Sequence, residues 1–141
     1  LSNFYPSPFV FKEGDDEFVA KTVEHYYQYM KTPSLEEGIG ILEANTPAEA
    51  KRLGRLSYLR EDWEDIKVEV MMTALREKFA IPELRAKLLA TGDAYLIEGN
   101  SWHDNYWGIC TCPKCTAKDI VGKNMLGRCL MKIREEIKND T

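Results

Sequence analysis

Residues 22–31 read TVEHYYQYMK, and their spacing predicts an amphipathic helix. Thr22 is a suitable N-cap, because its hydroxyl can accept a hydrogen bond from a backbone N–H of the first turn. An apolar stripe at i, i+3, i+4 and i+7 should face a core, and it consists of Val23, Tyr26, Tyr27 and Met30.

A second row on this helix is polar and holds Glu24, Gln28 and Lys31. Two interpretations of Glu24 follow. In one it is an exposed first-turn carboxylate favoured by the helix dipole. In the other it is a catalytic acid or base held in a cleft against aromatic neighbours.

Length and composition favour one ordinary globular domain. The chain has 141 residues, of which 44% are hydrophobic and 30% charged. Its net charge of −4 argues against a strongly basic surface that binds nucleic acid. No apolar run approaches the length that spans a membrane.

The remaining pattern predicts a mainly α fold with minor β structure. Apolar pairs around Gly14 suggest an N-terminal hairpin, and Ala94–Ile97 resembles one further strand. No βαβ alternation or glycine-rich nucleotide loop is present. About six helices are expected, over residues 23–31, 35–44, 47–55, 62–79, 82–91 and 125–138.

Residues 99–122 are predicted to be a long loop, and such loops are more often functional than idle. Its segment Asn100–Gly108 contains Trp102, Trp107 and Asp104. Aromatic rings beside a carboxylate suit a sugar or base as ligand. The alternative is that the two tryptophans anchor the loop to the core.

The run Gly122–Arg128, GKNMLGR, leads into the last helix. Its backbone N–H groups are candidates for binding an anion such as phosphate, with Arg128 nearby. Glycine and asparagine also form plain turns, so this pattern alone leaves both interpretations open.

Four cysteines occur, three of them within six residues: Cys110, Cys112 and Cys115. The CxxC spacing of the last two is half of a zinc site, for which His103 or Cys129 would be the fourth ligand. Free thiols are the alternative. The clustering is unlike a secretory disulfide framework, so we expect a reducing, cytoplasmic location. Because Leu1 rather than Met opens the sequence, we also expect residues upstream.

Several short motifs together resemble the YbiA-like, or NADAR, family over essentially the whole chain. They are LSNF at 1–4, TVEHYYQ at 22–28, TPAEA at 46–50, REDWE at 60–64, LLATG at 88–92, DNYWG at 104–108 and GKNMLG at 122–127. The resemblance implies a single NADAR domain over 1–141 and N-glycoside hydrolysis. Its implied substrates are ribosylamino-pyrimidine phosphates of riboflavin biosynthesis, or ADP-ribose attached to guanine in nucleic acid.

The resemblance also assigns residues. Glu24 is the implied catalytic carboxylate, and Asp104 is its expected partner in orienting the substrate or protonating the leaving base. Lys21 or Lys31 could instead attack the ring-opened sugar through a Schiff base. Substrate contacts are expected at Asn3, Phe4, Tyr27, Gln28, Trp63, Trp107, Gly108, Asn124, Gly127 and Arg128.

Among these contacts, Trp107 with Trp63 or Tyr27 would stack on the heterocycle, and Lys31 or Arg128 would neutralise a phosphate. The cysteine cluster departs from the glycine-rich loop of many relatives, which bears on substrate preference. We expect no cofactor and no membrane partner. The alternatives are a non-catalytic ADP-ribose or nucleotide reader, and a small zinc-stabilised interaction module.

Overall fold

A computed structural model describes residues 1–140 of the chain. Among these residues there are seven α-helices and four short strands. The mainly α class with minor β structure is therefore confirmed. The elements are β1 (Phe9–Glu13), β2 (Asp16–Ala20), α1 (Val23–Lys31), α2 (Leu35–Glu43), α3 (Pro47–Leu56), α4 (Trp63–Lys78), α5 (Pro82–Leu89), β3 (Gly99–Asn100), β4 (Ile109–Cys110), α6 (Pro113–Ala117) and α7 (Met125–Asn139).

The chain divides into two compact units, Leu1–Arg85 and the residues from Ala86 onward. In the first unit, strands β1 and β2 form the predicted antiparallel hairpin, with Phe11 opposite Phe18. Gly14 turns the chain in the left-handed region at φ 64°, which a residue without Cβ adopts at little cost. The Phe11 ring packs edge-on against Tyr26 of α1, with the ring centroids 5.0 Å apart.

Helix α1 is the centre of the first unit, because it contacts α2, α3 and α4. The predicted bounds are confirmed, and the Thr22 hydroxyl accepts the capping bond from the His25 N–H at 3.1 Å. Seven of its nine residues are buried. Both faces are therefore covered, and the helix is more deeply enclosed than a two-sided amphipathic pattern predicts.

His25 joins α1 to the end of α2. Its Nε2 lies 3.0 Å from the Ala44 carbonyl oxygen, and its Nδ1 lies 2.9 Å from the Thr22 hydroxyl. Since a carbonyl only accepts, Nε2 carries the proton and Nδ1 accepts from Thr22. The imidazole is 1% exposed, and burial lowers its pKa, with Lys21 adding to the decrease and the Ala44 carbonyl opposing it.

The second unit departs from prediction in two places. Ala94–Ile97 is not a strand, and the side chains of Tyr95 and Ile97 are exposed. Residues 99–122 are not a plain loop either, since they contain β3, β4 and α6. Strands β3 and β4 pair in parallel, with Gly99 opposite Ile109 and Asn100 opposite Cys110.

Within residues 1–140, no helix combines the length and the apolar character that crossing a bilayer requires.

Candidate active site

Glu24 is a buried carboxylate in the first turn of α1, with 8% of its surface exposed. The interpretation of an exposed first-turn glutamate is therefore wrong. The Gln28 amide, one turn later, donates from Nε2 to Glu24 Oε1 at 2.8 Å. The Glu24 backbone N–H donates to the Asn3 carbonyl at 3.2 Å, which joins the LSNF segment to this turn.

Lys31 completes the polar row of α1. Its Nζ donates to Gln28 Oε1 at 3.3 Å, so the Gln28 amide directs its oxygen to an ammonium and its NH₂ to a carboxylate. Burial lowers the pKa of Lys31, and Arg55 and Lys51 add to the decrease while Glu24 opposes it. The row is thus a hydrogen-bonded chain in which a neutral amide connects two opposite charges.

Lys21 is exposed, and its side chain forms hydrogen bonds at the end of α2. Its Nζ donates to the carbonyls of Ala44 at 2.8 Å and Glu43 at 3.3 Å. A lysine at this place satisfies carbonyls that a helix end leaves without partners. This contact is a structural use of the side chain, and the catalytic role of Lys21 stays a prediction.

Tyr27 and Trp63 pack against each other with their ring centroids 5.0 Å apart and an edge-on angle of 68°. Trp63 is 4% exposed and Tyr27 is 9% exposed. Such buried rings present little free face to a ligand. Their burial favours a structural role in packing around α1. That either ring stacks on a base stays a prediction.

The N-terminal LSNF segment is tied to α4. Lys78 of that helix is fully buried, and its Nζ donates to the carbonyls of Leu1 at 3.2 Å and Ser2 at 2.5 Å. Asn3 Nδ2 lies 3.7 Å from the Met71 sulphur, while Asn3 Oδ1 is buried with no hydrogen-bond partner within residues 1–140. Phe4 is 40% exposed.

Lys78 was missed by the sequence reasoning. A lysine in the last turn of a helix is ordinarily explained by the helix dipole, and nothing local indicates that it holds a segment 76 residues away. By holding Leu1 and Ser2, it positions Asn3 beside the first turn of α1. Lys78 is therefore a positioning residue for the LSNF motif.

In the second unit, Asp104 organises its own loop. Its Oδ1 accepts from the backbone N–H groups of Tyr106 at 3.1 Å and Trp107 at 2.9 Å. Asn100 brackets the same residue, because its amide donates to the Asp104 carbonyl at 2.7 Å and accepts from the Asp104 N–H at 3.1 Å. Asp104 and Trp107 are half-buried, so both remain partly accessible to a ligand.

Asn124 begins α7 in the left-handed region at φ 53° and is 2% exposed. Its side chain donates to the Leu96 carbonyl at 2.8 Å and accepts from the Glu98 N–H at 2.9 Å. Gly108 and Gly127 are buried against other parts of the backbone. A Cβ at Gly108 would overlap the Glu98 carbonyl oxygen, and a Cβ at Gly127 would overlap that of Leu96. Arg128 is exposed.

The anion-binding interpretation of the 122–128 run is wrong for most of its backbone. Four consecutive N–H groups donate to loop carbonyls at 2.8–3.3 Å: Lys123 to Asn105, Asn124 to Gly108, Met125 to Tyr106 and Leu126 to Trp107. These donors are therefore not available to a phosphate. Instead they fasten the Asp104–Gly108 loop to the start of α7.

The described residues also contain one group suited to a metal. The ligand atoms of His103, Cys110, Cys112 and Cys115 all lie within 4.8 Å of one another. Cys129, the other predicted candidate for a fourth ligand, lies in α7 and is not in this group.

Comparison with known proteins identifies the class of protein. The family described as "NADAR domain" matches residues 1–138. The chain therefore belongs to the NADAR domain family.

Relatives and a solved structure agree with this assignment. An N-glycosidase of Nostoc punctiforme is 43% identical over 84% of this chain and 74% of its own length. The N-glycosidase YbiA of Escherichia coli is 41% identical over 82% of this chain and 69% of its own length. The NMR structure of the E. coli protein YbiA has a TM-score of 0.78 and 37% identity, over 99% of this chain and 77% of that one.

A third relative is the chloroplastic riboflavin biosynthesis protein PYRR of Zea mays. It is 36% identical over 97% of this chain, which spans 23% of that longer protein. Together, the named N-glycosidases support glycosidase activity in this chain, whereas none of these names specifies a substrate for it.

Proposed function

We propose that this N-glycosidase hydrolyses the C1′–N bond of a nucleotide-like N-riboside, with Glu24 acting beside the ribose. The observation that carries the proposal is the burial of the Glu24 carboxylate in the first turn of α1, held by the Gln28 amide. Buried, hydrogen-bonded carboxylates are costly in a fold and are found preferentially at functional sites.

Two substrates share this chemistry: a ribosylamino-pyrimidine phosphate, and ADP-ribose attached to guanine. In each, a ribose C1′ is bonded to a nitrogen and a phosphate group lies on the sugar side. The riboflavin biosynthesis name of the maize relative supports the first substrate. The substrate panel described below separates the two.

Cleavage of the C1′–N bond builds positive charge on the ribose, as in an oxocarbenium ion. The Glu24 carboxylate would stabilise this charge and orient or deprotonate the attacking water. The bonding electrons leave with the base nitrogen, one proton of the water reaches the base, and the hydroxyl forms the new C1′–O bond. The products are a free base and a reducing sugar phosphate.

A second route for the same reaction uses a lysine. A neutral amine would attack the ring-opened sugar at C1′ and expel the base, and water would then hydrolyse the Schiff base. Lys31 is favoured for this role over Lys21, because burial lowers its pKa and so raises the fraction of neutral amine. In the carboxylate route the Lys31 ammonium would instead neutralise the substrate phosphate.

We further propose that Asp104 orients the substrate or protonates the leaving base, with Trp107 stacking on the heterocycle. The half-buried state of both side chains supports contact with a ligand. Asp104 already accepts two backbone hydrogen bonds, so its orientation is fixed before a substrate arrives. Arg128, which is exposed, is proposed as a phosphate contact.

The test pairs two substitutions at equivalent helix positions. Glu24→Gln keeps an acceptor for the Gln28 amide but removes the charge from the second residue of α1. Glu36→Gln makes the same change at the second residue of α2, where the side chain is exposed. We expect kcat to fall by ~10²–10⁴-fold for Glu24→Gln and to stay unchanged for Glu36→Gln.

The substrate panel should contain the ribosylamino-pyrimidine phosphate, ADP-ribosyl-guanosine and ADP-ribosyl-DNA, with products identified by mass spectrometry. Reduction with borohydride during turnover tests the lysine route, since it would attach the sugar to Lys31 or Lys21. Undiminished turnover by Glu24→Gln would remove that residue from the mechanism. Tight binding of every compound without any product would overturn the proposal in favour of a nucleotide reader.

A further inference from the structure

Three cysteines and a histidine converge on one point in the second unit. Cys110 and Cys115 are each 4% exposed, Cys112 is half-buried, and the exposed His103 directs Nδ1 towards all three sulphurs. We propose that this cluster binds one structural zinc ion through the four ligand atoms His103 Nδ1, Cys110 Sγ, Cys112 Sγ and Cys115 Sγ.

The distances fit a tetrahedral site. Nδ1 of His103 lies 3.2 Å from Cys112 Sγ, 3.4 Å from Cys115 Sγ and 3.9 Å from Cys110 Sγ. Zinc–sulphur bonds of about 2.3 Å and zinc–nitrogen bonds of about 2.0 Å place tetrahedral N and S ligands roughly 3.5 Å apart. The three observed distances bracket that separation, so the ion can be accommodated with little movement.

The three cluster sulphurs accept hydrogen bonds from neighbouring backbone and side-chain groups. The backbone N–H groups of His103 and Cys112 both donate to Cys110 Sγ, at 3.3 and 3.4 Å. Cys112 Sγ accepts from the Cys115 N–H at 3.4 Å, and Cys115 Sγ accepts from the Asn105 amide at 3.4 Å. Each sulphur therefore accepts a hydrogen bond, which is how outer groups orient metal-bound cysteines.

The backbone of His103 supplies a further observation. Its φ of 71° lies in the left-handed region, which non-glycine residues adopt at a cost. A bond from Nδ1 to a metal would offset that cost. Lys114 and Lys118 line an adjacent cavity of about 260 Å³, where their charge would balance the net negative charge of three thiolates and one Zn²⁺.

Four protein ligands leave no open coordination position, so the ion would be structural rather than catalytic. Its effect would be on the loop that carries Asp104 and Trp107, because the ligands His103 and Cys110 stand on either side of that loop. The elements around it are small: β3 and β4 have two residues each and α6 has five. A metal would therefore supply crosslinks that these short elements lack.

The test of metal content needs no substrate and is independent of the proposed activity. The full chain should be purified under reducing conditions without affinity metals, and zinc measured by plasma mass spectrometry. We expect one zinc per chain. After removal of the metal, Co²⁺ should produce the visible and thiolate-to-metal charge-transfer absorption of a tetrahedral thiolate site, and Zn²⁺ should abolish it.

Matched variants locate the site. Cys112→Ala removes a half-buried ligand, and His103→Asn removes the imidazole while keeping a residue that tolerates the left-handed region. Cys129→Ala changes a cysteine outside the cluster and serves as the control. We expect Co²⁺ affinity to fall by more than ~100-fold in the two cluster variants and to be unchanged in the control.

Two results would overturn the proposal. One is a reduced wild-type chain that contains no zinc and gives no thiolate–cobalt absorption. The other is a disulfide between two of the cluster cysteines in protein that was isolated under reducing conditions. The cobalt titration of the wild-type chain decides the question even if a cluster variant does not fold.

Discussion

Gly54 of α3 lies against the Gln28 side chain of α1 so closely that a Cβ at position 54 would be 2.7 Å from Gln28 Cδ. Gln28 is 3% exposed, so its side chain is enclosed by protein on nearly all sides. The same side chain holds the Glu24 carboxylate and accepts from Lys31. The absence of a side chain at Gly54 is therefore a condition for the polar row of α1.

Gly54→Ala is expected to disturb this row, and Gly40→Ala is its control. Overpacking in a core costs about 1–3 kcal/mol, whereas alanine in a helix is favoured over glycine by about 1 kcal/mol. A Cβ at Gly40 meets nothing within 4 Å, so that variant shows the helix gain alone. Urea denaturation should give Gly54→Ala an unfolding free energy roughly 1–3 kcal/mol below that of Gly40→Ala.

The same pair should differ in turnover, since displacement of Gln28 removes a hydrogen bond from Glu24. We expect lower kcat for Gly54→Ala only. Equal stability and equal turnover in the two variants would show that the close approach to Gln28 has no consequence.

We expect the stability of the chain to depend on pH because His25 is buried. Burial lowers its pKa from the ordinary 6.5, so the unfolded chain binds the proton more tightly than the folded chain. The free energy of unfolding should therefore fall as the pH drops below about 6.5, by at most about 1.4 kcal/mol per pH unit for this proton. This contribution is fully regained above that pH.

The measurement is urea denaturation between pH 7.5 and pH 5, together with NMR titration of the His25 ring protons in the folded chain. The NMR midpoint isolates His25 from carboxylates that titrate in the same range. A midpoint at or above 6.5 would contradict the prediction.

Two substitutions of Asp104 separate its charge from its hydrogen bonds. Asn keeps the Oδ1 acceptor for the N–H groups of Tyr106 and Trp107, whereas Ala leaves both donors without it. We expect Asp104→Ala to lose about 1–3 kcal/mol of stability and Asp104→Asn to lose less than about 1 kcal/mol. If the charge takes part in catalysis, kcat falls in both variants. Full activity in Asp104→Asn would limit this residue to shaping the loop.

Asn124 combines a left-handed backbone with two buried hydrogen bonds. Asn124→Gly and Asn124→Ala both remove the partners of the Leu96 carbonyl and the Glu98 N–H, and only Ala also resists φ 53°. Thermal and urea denaturation should show both variants destabilised, with Ala worse than Gly by about 1–2 kcal/mol. Equal losses would show that the left-handed backbone carries no cost here.

Local signals predicted the helices well. The helices α1, α2 and α3 start at the predicted residues 23, 35 and 47, and the side chains of Thr22, Ser34 and Thr46 each accept a capping hydrogen bond there. Capping depends on residues a few positions apart, which is why sequence alone locates these starts. The short motifs spread along the chain likewise indicated the NADAR family, to which the chain belongs.

Contacts between distant residues could not be predicted in this way. Ala94–Ile97 has the composition of a strand, but the Leu96 carbonyl accepts from the side chain of Asn124 rather than from another strand. Glu24 accepts a hydrogen bond from Gln28, and the Gln28 side chain lies against Gly54, which is 26 positions further along the chain. The role of Lys78 depends on the carbonyls of Leu1 and Ser2, which are more than seventy residues earlier in the sequence.

The four N–H groups of residues 123–126 that donate to the loop carbonyls of residues 105–108 have a further consequence. Their amide hydrogens exchange with solvent only when the loop separates from the start of α7. Exchange rates at four adjacent positions therefore report how often the segment carrying Asp104 and Trp107 opens. A change in these rates on adding a nucleotide would register loop closure directly, without any turnover.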